Sequence, residues 1–162
     1  LPGLRSLLSV RLPFNEVNMK VNIKKLDGRA TMPTYGSEFS AGADLYALTD
    51  EDIVIKPRQT VLIHTGISIE IPEGYGGFVY ARSGLSTKRG LAPANKVGVI
   101  DADYRGEIMV PLYNQSSEEQ TVSCGDRIAQ LVIAPFLKCE FCEVDDLGAT
   151  ERGQSGFGST GK

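Results

Sequence analysis

Hydrophobic and polar residues alternate along most of this chain with a period of two. Met19, Val21 and Ile23 interleave with Lys20, Asn22 and Lys24. The longest run is 61–71. Val61, Ile63, Thr65, Ile67, Ile69 and Ile71 fall on one face, and Leu62, His64, Gly66, Ser68 and Glu70 on the other. Successive strand side chains point to opposite faces, so this pattern predicts half-buried β-strands. Shorter candidates are 53–55, 75–81, 108–113, 128–133 and 140–144. Pro57, Pro72-Glu73-Gly74, Gly76-Gly77, Arg105-Gly106 and Cys124-Gly125-Asp126 are turn signals between them. Many short strands at such spacing predict an all-β sandwich or barrel. One helix is predicted, Ser83–Arg89, with Ser83 as its N-cap and Gly90 just past its end.

Two segments depart from the pattern. Residues 1–18 show no clean period, and Pro2, Gly3 and Pro13 break any helix. They are expected to be a disordered leader or expression-derived segment, with Met19 as the natural start; residues 19–147 then form the domain. The tail, 148–162, carries five glycines and one aromatic, Phe157. It reads as an arm outside the core that is mobile or orders on a ligand.

Composition narrows the class. At 162 residues, 41% hydrophobic and 23% charged, the chain resembles an ordinary globular domain and not a disordered one. Its longest apolar stretch, 131–137, is interrupted by Pro135 and falls well short of the ~18 residues of a membrane span. A net charge of −3 lacks the basic footprint of a nucleic-acid binder. The odd set Cys124, Cys139 and Cys142 gives no disulfide framework. Cys139 and Cys142 have the spacing of half a zinc site, with only Cys124 and the single His64 left to complete it. Reduced cysteines in a cytoplasm-like compartment are the expectation. His64 is placed on the polar face of its strand with no carboxylate motif beside it, as a solvated histidine. A Ser-His-Asp or Cys-His hydrolase is not expected.

Five segments carry the candidate chemistry. They are Ala41-Gly-Ala-Asp-Leu-Tyr-Ala47, Ala81-Arg-Ser-Gly-Leu-Ser86, the stretch 95–107, Gly125-Asp-Arg-Ile-Ala-Gln130 and the stretch 152–161. Arg82, Ser83 and Gly84 open the helix, where an arginine, a hydroxyl and free N–H groups form either a phosphate cradle or a plain helix cap. Arg152 with the following glycines is either a second anion site or part of a disordered tail. Phe157 suits stacking on a flat ring or anchoring the tail. Asp101 ends an apolar stretch and reads as a general base or as turn chemistry. Asp44 is a candidate holder of a hydrated divalent cation. Gly125-Asp-Arg127 reads as a hairpin turn.

In order and spacing these segments resemble the trimeric dUTP pyrophosphatase (dUTPase) family over about residues 19–161. The resemblance implies a distorted jelly roll of the β-clip type with one short helix. It implies hydrolysis of dUTP to dUMP and pyrophosphate with Mg²⁺, which limits uracil incorporation into DNA and supplies dUMP. It also implies a homotrimer whose sites are shared between subunits, with no nucleic-acid or membrane partner. On that resemblance Asp101 activates the attacking water and Asp44 meets the metal through water. Arg82, Ser83, Gly84 and Gln130 bind phosphates. Asn95 and Gly98 belong to the hairpin that reads uracil, and Tyr104 packs against deoxyribose. Arg152 clamps the γ-phosphate, Phe157 stacks on uracil, and Gly158, Ser159 and Thr160 complete the tail. Ser155 stands where the family commonly has glycine, and would strain the tail if a positive φ were required. Two rivals have distinct signatures: a dCTP deaminase would use Glu107 and release ammonia, and a binding module would hold dUTP without turnover.

Overall fold

A computed structural model describes residues 19–156. The expectations for 1–18 and for Phe157, Gly158, Ser159 and Thr160 lie outside the described residues. In chain order the elements are β1 (Asn22–Lys25), β2 (Thr34–Tyr35), β3 (Ala43–Tyr46), β4 (Ile53–Ile55), β5 (Thr60–His64), β6 (Ile67–Glu70) and β7 (Tyr75–Tyr80). The helix α1 (Ser83–Arg89) follows. Then come β8 (Leu91–Pro93), β9 (Gly98–Ile100), β10 (Met109–Asn114), β11 (Gln120–Val122) and β12 (Arg127–Pro135).

The strands form four antiparallel sheets. The largest runs β2-β3-β12-β7-β9, and a second runs β5-β10-β8. Two-stranded pairs, β1-β6 and β4-β11, complete the fold. Leu45, Ile63, Leu91, Val110, Leu112 and Ile128 are essentially inaccessible and close one aliphatic core between the sheets. The alternation seen in the sequence is therefore the core face of each strand.

The run 61–71 forms two strands, not one. Gly66 breaks it with a φ of +68°, a conformation only glycine adopts without strain. Space also demands glycine there, because a Cβ would collide with the Leu48 side chain and lie 2.9 Å from the Ala30 Cβ. After the break the chain moves from the β10 partner of β5 to the β1 partner of β6. Ile63 and Ile67 still both point inward. The alternation survives the break, which is why the pattern alone reads as continuous.

Residues 140–144 form no strand. The last backbone tie to the sheets is the Phe136 N–H donating to the Gly74 carbonyl at 3.1 Å. Residues 137–155 are exposed, and Leu137, Phe141 and Leu147 are almost fully so. Alternation without a pairing partner does not make a strand, since the backbone N–H and C=O groups stay solvated. All three cysteines are free and exposed.

The helix begins as predicted but is capped differently. Arg82, in extended conformation (φ −87°, ψ 129°), is the N-cap and makes no side-chain cap bond; Ser83 is the first helical residue. Gly90 ends the helix at φ +67°, with its N–H directed to the Leu85 and Ser86 carbonyls. Lys88 and Arg89 in the last turn complement the helix dipole.

Candidate active site

The first cluster grows from three neighbouring strands of the large sheet. Gln130 on β12 pairs with Asp44 on β3 and with Tyr80 on β7. Two residues beyond Tyr80 the chain turns into α1, which places Arg82 above the same face. The Arg82 Nε donates to Asp44 Oδ1 at 2.6 Å, and Arg127 Nη1 lies 3.4 Å from Asp44 Oδ2. Asp44 is buried, and a buried carboxylate stripped of either partner would be strongly destabilising. Gln130 Nε2 donates to the Ala81 carbonyl at 2.8 Å, which fixes its amide beside the helix start. Gly42 makes room for that side chain, because a Cβ would stand 2.6 Å from Gln130 Oε1. Together with Ser83, Gly84 and Ser40 these residues line a pocket of about 410 Å³. Two guanidiniums, one carboxylate and the uncapped first N–H groups of the helix leave it net positive, suited to an anion.

Arg127 is a member of this cluster that sequence reasoning missed. Its motif reads as a turn, and it is one: Gly125 takes φ +85° and Asp126 accepts the Ser123 N–H at 3.0 Å. Arg127 is the first residue after the turn, so the turn itself aims its side chain at Asp44. Among the described residues no group of three or more His, Cys, Asp or Glu is placed to hold a metal. Both Asp44 oxygens already face guanidiniums, but a carboxylate has about four acceptor sites. Asp44 therefore fits a water of a hydrated ion and not direct ligation.

The second cluster lies between β9 and β10. Asn95, Gly98, Asp101 and Tyr104 line a pocket of about 250 Å³, closed by Leu62, Val79 and Pro111. Asp101 follows the last residue of β9, and its carbonyl accepts the Tyr104 N–H at 3.1 Å. That turn brings the Tyr104 ring over Gly106, and the Tyr104 hydroxyl donates to the Glu107 carbonyl at 3.0 Å. A Cβ on Gly106 would lie 2.5 Å from Tyr104 Cζ. Gly106→Ala is thus expected to push the ring off its seat and weaken binding of a ligand in this pocket by about ten- to a hundredfold. The melting temperature should barely move; unchanged binding would show that the ring position is immaterial.

The two pockets share no lining residue. Asp44, Gln130 and Tyr80 are in register and point to one face. Ala43, Leu131 and Val79, each one residue away, point to the other, and Val79 pairs with Gly98. Ala43, Leu131 and Val79 are buried, whereas Tyr80 is 39% exposed.

Arg152 lines neither pocket. It is exposed on the arm, and its Nε donates to the Ser155 carbonyl at 2.9 Å. Ser155 is not strained; Gly153 takes the positive φ, +50°. His64 is exposed as expected but not alone. Its Nδ1 lies 2.8 Å from Glu107 Oε2, a partner 43 residues away that no local motif announces. Burial pushes the Glu107 carboxyl up, but hydrogen bonds from His64 and from the Gly66 and Thr65 amides outweigh it and hold the group below its usual range.

Comparison with known proteins decides the family. The dUTPase family pattern matches residues 28–161. The chain belongs to the dUTPase family. The deoxyuridine 5'-triphosphate nucleotidohydrolase of Desulfitobacterium hafniense (strain DSM 10664 / DCB-2) is 50% identical over 149 residues, covering 91% of this chain and 99% of that protein. The enzyme of the same name from Nautilia profundicola is 49% identical over 144 residues, covering 89% of this chain and all of that protein. Among solved structures, a Staphylococcus bacteriophage 80alpha dUTPase with dUpNHpp superposes with a TM-score of 0.77 at 30% identity, covering 88% of this chain and 99% of that one. The sheets and single helix described above are the jelly roll of these dUTPases. As a dUTPase the protein is a nucleotide hydrolase, a dUTP diphosphatase. No helix among the described residues is long and apolar enough to cross a membrane.

Proposed function

We propose that the protein hydrolyses dUTP to dUMP and pyrophosphate at a site assembled from different subunits of a homotrimer. Asp101 takes a proton from water, the water oxygen bonds to the α-phosphorus, and the bond to the bridging oxygen of the leaving pyrophosphate breaks. Asn95 and Gly98 receive the uracil edge, and Tyr104 packs against the sugar. Arg82, Ser83, Gly84 and Gln130 hold the phosphates, and Arg127 shares Asp44 with Arg82 so that both guanidiniums stay aimed into the pocket. Arg152 adds charge from the arm, while Phe157 covers the base and Gly158, Ser159 and Thr160 close on the phosphates. These donors meet the charge that develops on the leaving group. Magnesium carried on the triphosphate would neutralise part of that charge, with Asp44 contacting one of its waters.

The observation that supports the shared site is that the Asp101 pocket and the Arg82 pocket share no lining residue, so one chain offers the two sets of groups at separate places. A second copy can present its Asp101 turn to the Arg82 pocket. Co-expression tests this. Asp101→Asn and Arg82→Ala subunits, each inactive alone, should regain a measurable fraction of wild-type dUTP hydrolysis when assembled together, because one mixed junction carries both intact residues. No recovery in verified mixed assemblies would place both residues of a site on one chain.

A further inference from the structure

We propose that Glu107 is a positioning residue for the nucleotide pocket, held in place by the Gly66 N–H and by His64. This role presupposes that the 101–104 turn receives the nucleotide. The carboxylate stands in a wall between two cavities. On one side it lines the pocket of Asp101 and Tyr104. On the other it lines a cavity of about 330 Å³ with His64, Asp27, Arg29 and Asp50. Glu107 Oε1 accepts the Gly66 N–H at 2.8 Å, and Oε2 meets His64 Nδ1 at 2.8 Å. The Glu107 backbone carbonyl holds the Tyr104 hydroxyl. One residue therefore ties the sugar-facing ring to the β5–β6 break.

Its neighbours tighten the same seam. Ser68 Oγ donates to the Arg105 carbonyl at 2.7 Å, Thr65 Oγ1 to the Ile108 carbonyl at 2.5 Å, and the Ile108 N–H to the Ile67 carbonyl at 2.9 Å. The break at Gly66 thus has a purpose beyond redirecting the strand: it turns an N–H toward Glu107. These contacts fix residues 105–108, and through Tyr104 they set how the 101–104 turn sits.

The charged groups around His64 are few. Glu107 contacts it from the β9–β10 connection. Arg29, bonded to Asp27 at 2.8 Å and Asp50 at 2.7 Å, lies across the cavity on the loops after β1 and β3. Met109, opposite His64 on β10, carries no charge. With its carboxyl held below the usual range, Glu107 keeps one oxygen for the Gly66 N–H and the other for the His64 ring.

The test is steady-state hydrolysis of dUTP at one pH by wild type, E107A, E107Q, H64Q and the E107A/H64Q double variant. E107A should raise KM by about three- to tenfold with kcat within about twofold of wild type, and E107Q, which keeps an acceptor for the Gly66 N–H, should recover most of the loss. H64Q should raise KM less, and its effect should vanish in the E107A background. Hydrolysis of dUTP with an E107A KM equal to wild type, or an E107A loss confined to kcat, overturns the positioning role alone. No hydrolysis of dUTP by wild type overturns it together with the functional reading beneath it.

Discussion

Asp101→Asn is expected to lower kcat for dUTP by about 10²–10⁴-fold, the usual contribution of a positioned general base. Nucleotide binding should survive, with Kd for a non-hydrolysable analogue within a few-fold of wild type. The reason lies in how Asp101 is built in. Its tie to the turn is the backbone carbonyl that accepts the Tyr104 N–H, and asparagine keeps that bond. The side chain is exposed and is not part of the core. Asparagine has the same shape but cannot accept the proton that water must lose. Rapid-quench kinetics and calorimetry on the same protein separate the two effects. A variant within tenfold of wild-type kcat would remove Asp101 from the base role, and a variant that binds nothing would make it a binding residue.

Deleting 148–162 is expected to remove most activity, about 10²–10³-fold in kcat/KM, while oligomeric state and melting temperature stay those of the full chain. Residues 148–155 are exposed, and Arg152 bonds only within its own turn. No core contact is lost with them. On the proposed reading the loss is charge and closure, the parts assigned there to Arg152, the Phe157 ring and the tail hydroxyls. Light scattering beside the activity assay checks both halves. A monomeric product would show that the arm holds the assembly, and unchanged kcat/KM would show that it is idle.

Much of the fold is legible in the sequence because the strands are half-buried. The 53–55 alternation is β4 without revision, and 75–81 differs from β7 by one residue. Strands of two or three residues, such as β2 and β11, are too short to show a period. Two patterns mislead for a physical reason. At Gly66 the backbone turns while the side-chain parity is kept, so two strands look like one. At 140–144 the parity is present but the segment runs exposed and pairs with none of the strands among the described residues. The site divides in a similar way. Asp44, Arg82 and Gln130 are visible as motif members, and register brings them together. Arg127 hides inside a turn signal, and the His64–Glu107 bond joins residues far apart in the sequence that the pairing of β5 with β10 brings together. That Asp101 and Arg82 line separate pockets follows from the tertiary fold, which no single motif encodes.

The most direct test is pyrophosphate release with Mg²⁺ from dUTP, dTTP, dCTP and UTP measured in parallel. A tight hairpin pocket that reads uracil and packs a ring against the sugar predicts release from dUTP and little from the other three. An unmatched buried polar group costs about 1–3 kcal/mol, enough for roughly ten- to a hundredfold discrimination against cytosine. Equal release from all four nucleotides, or none from dUTP, would contradict the account.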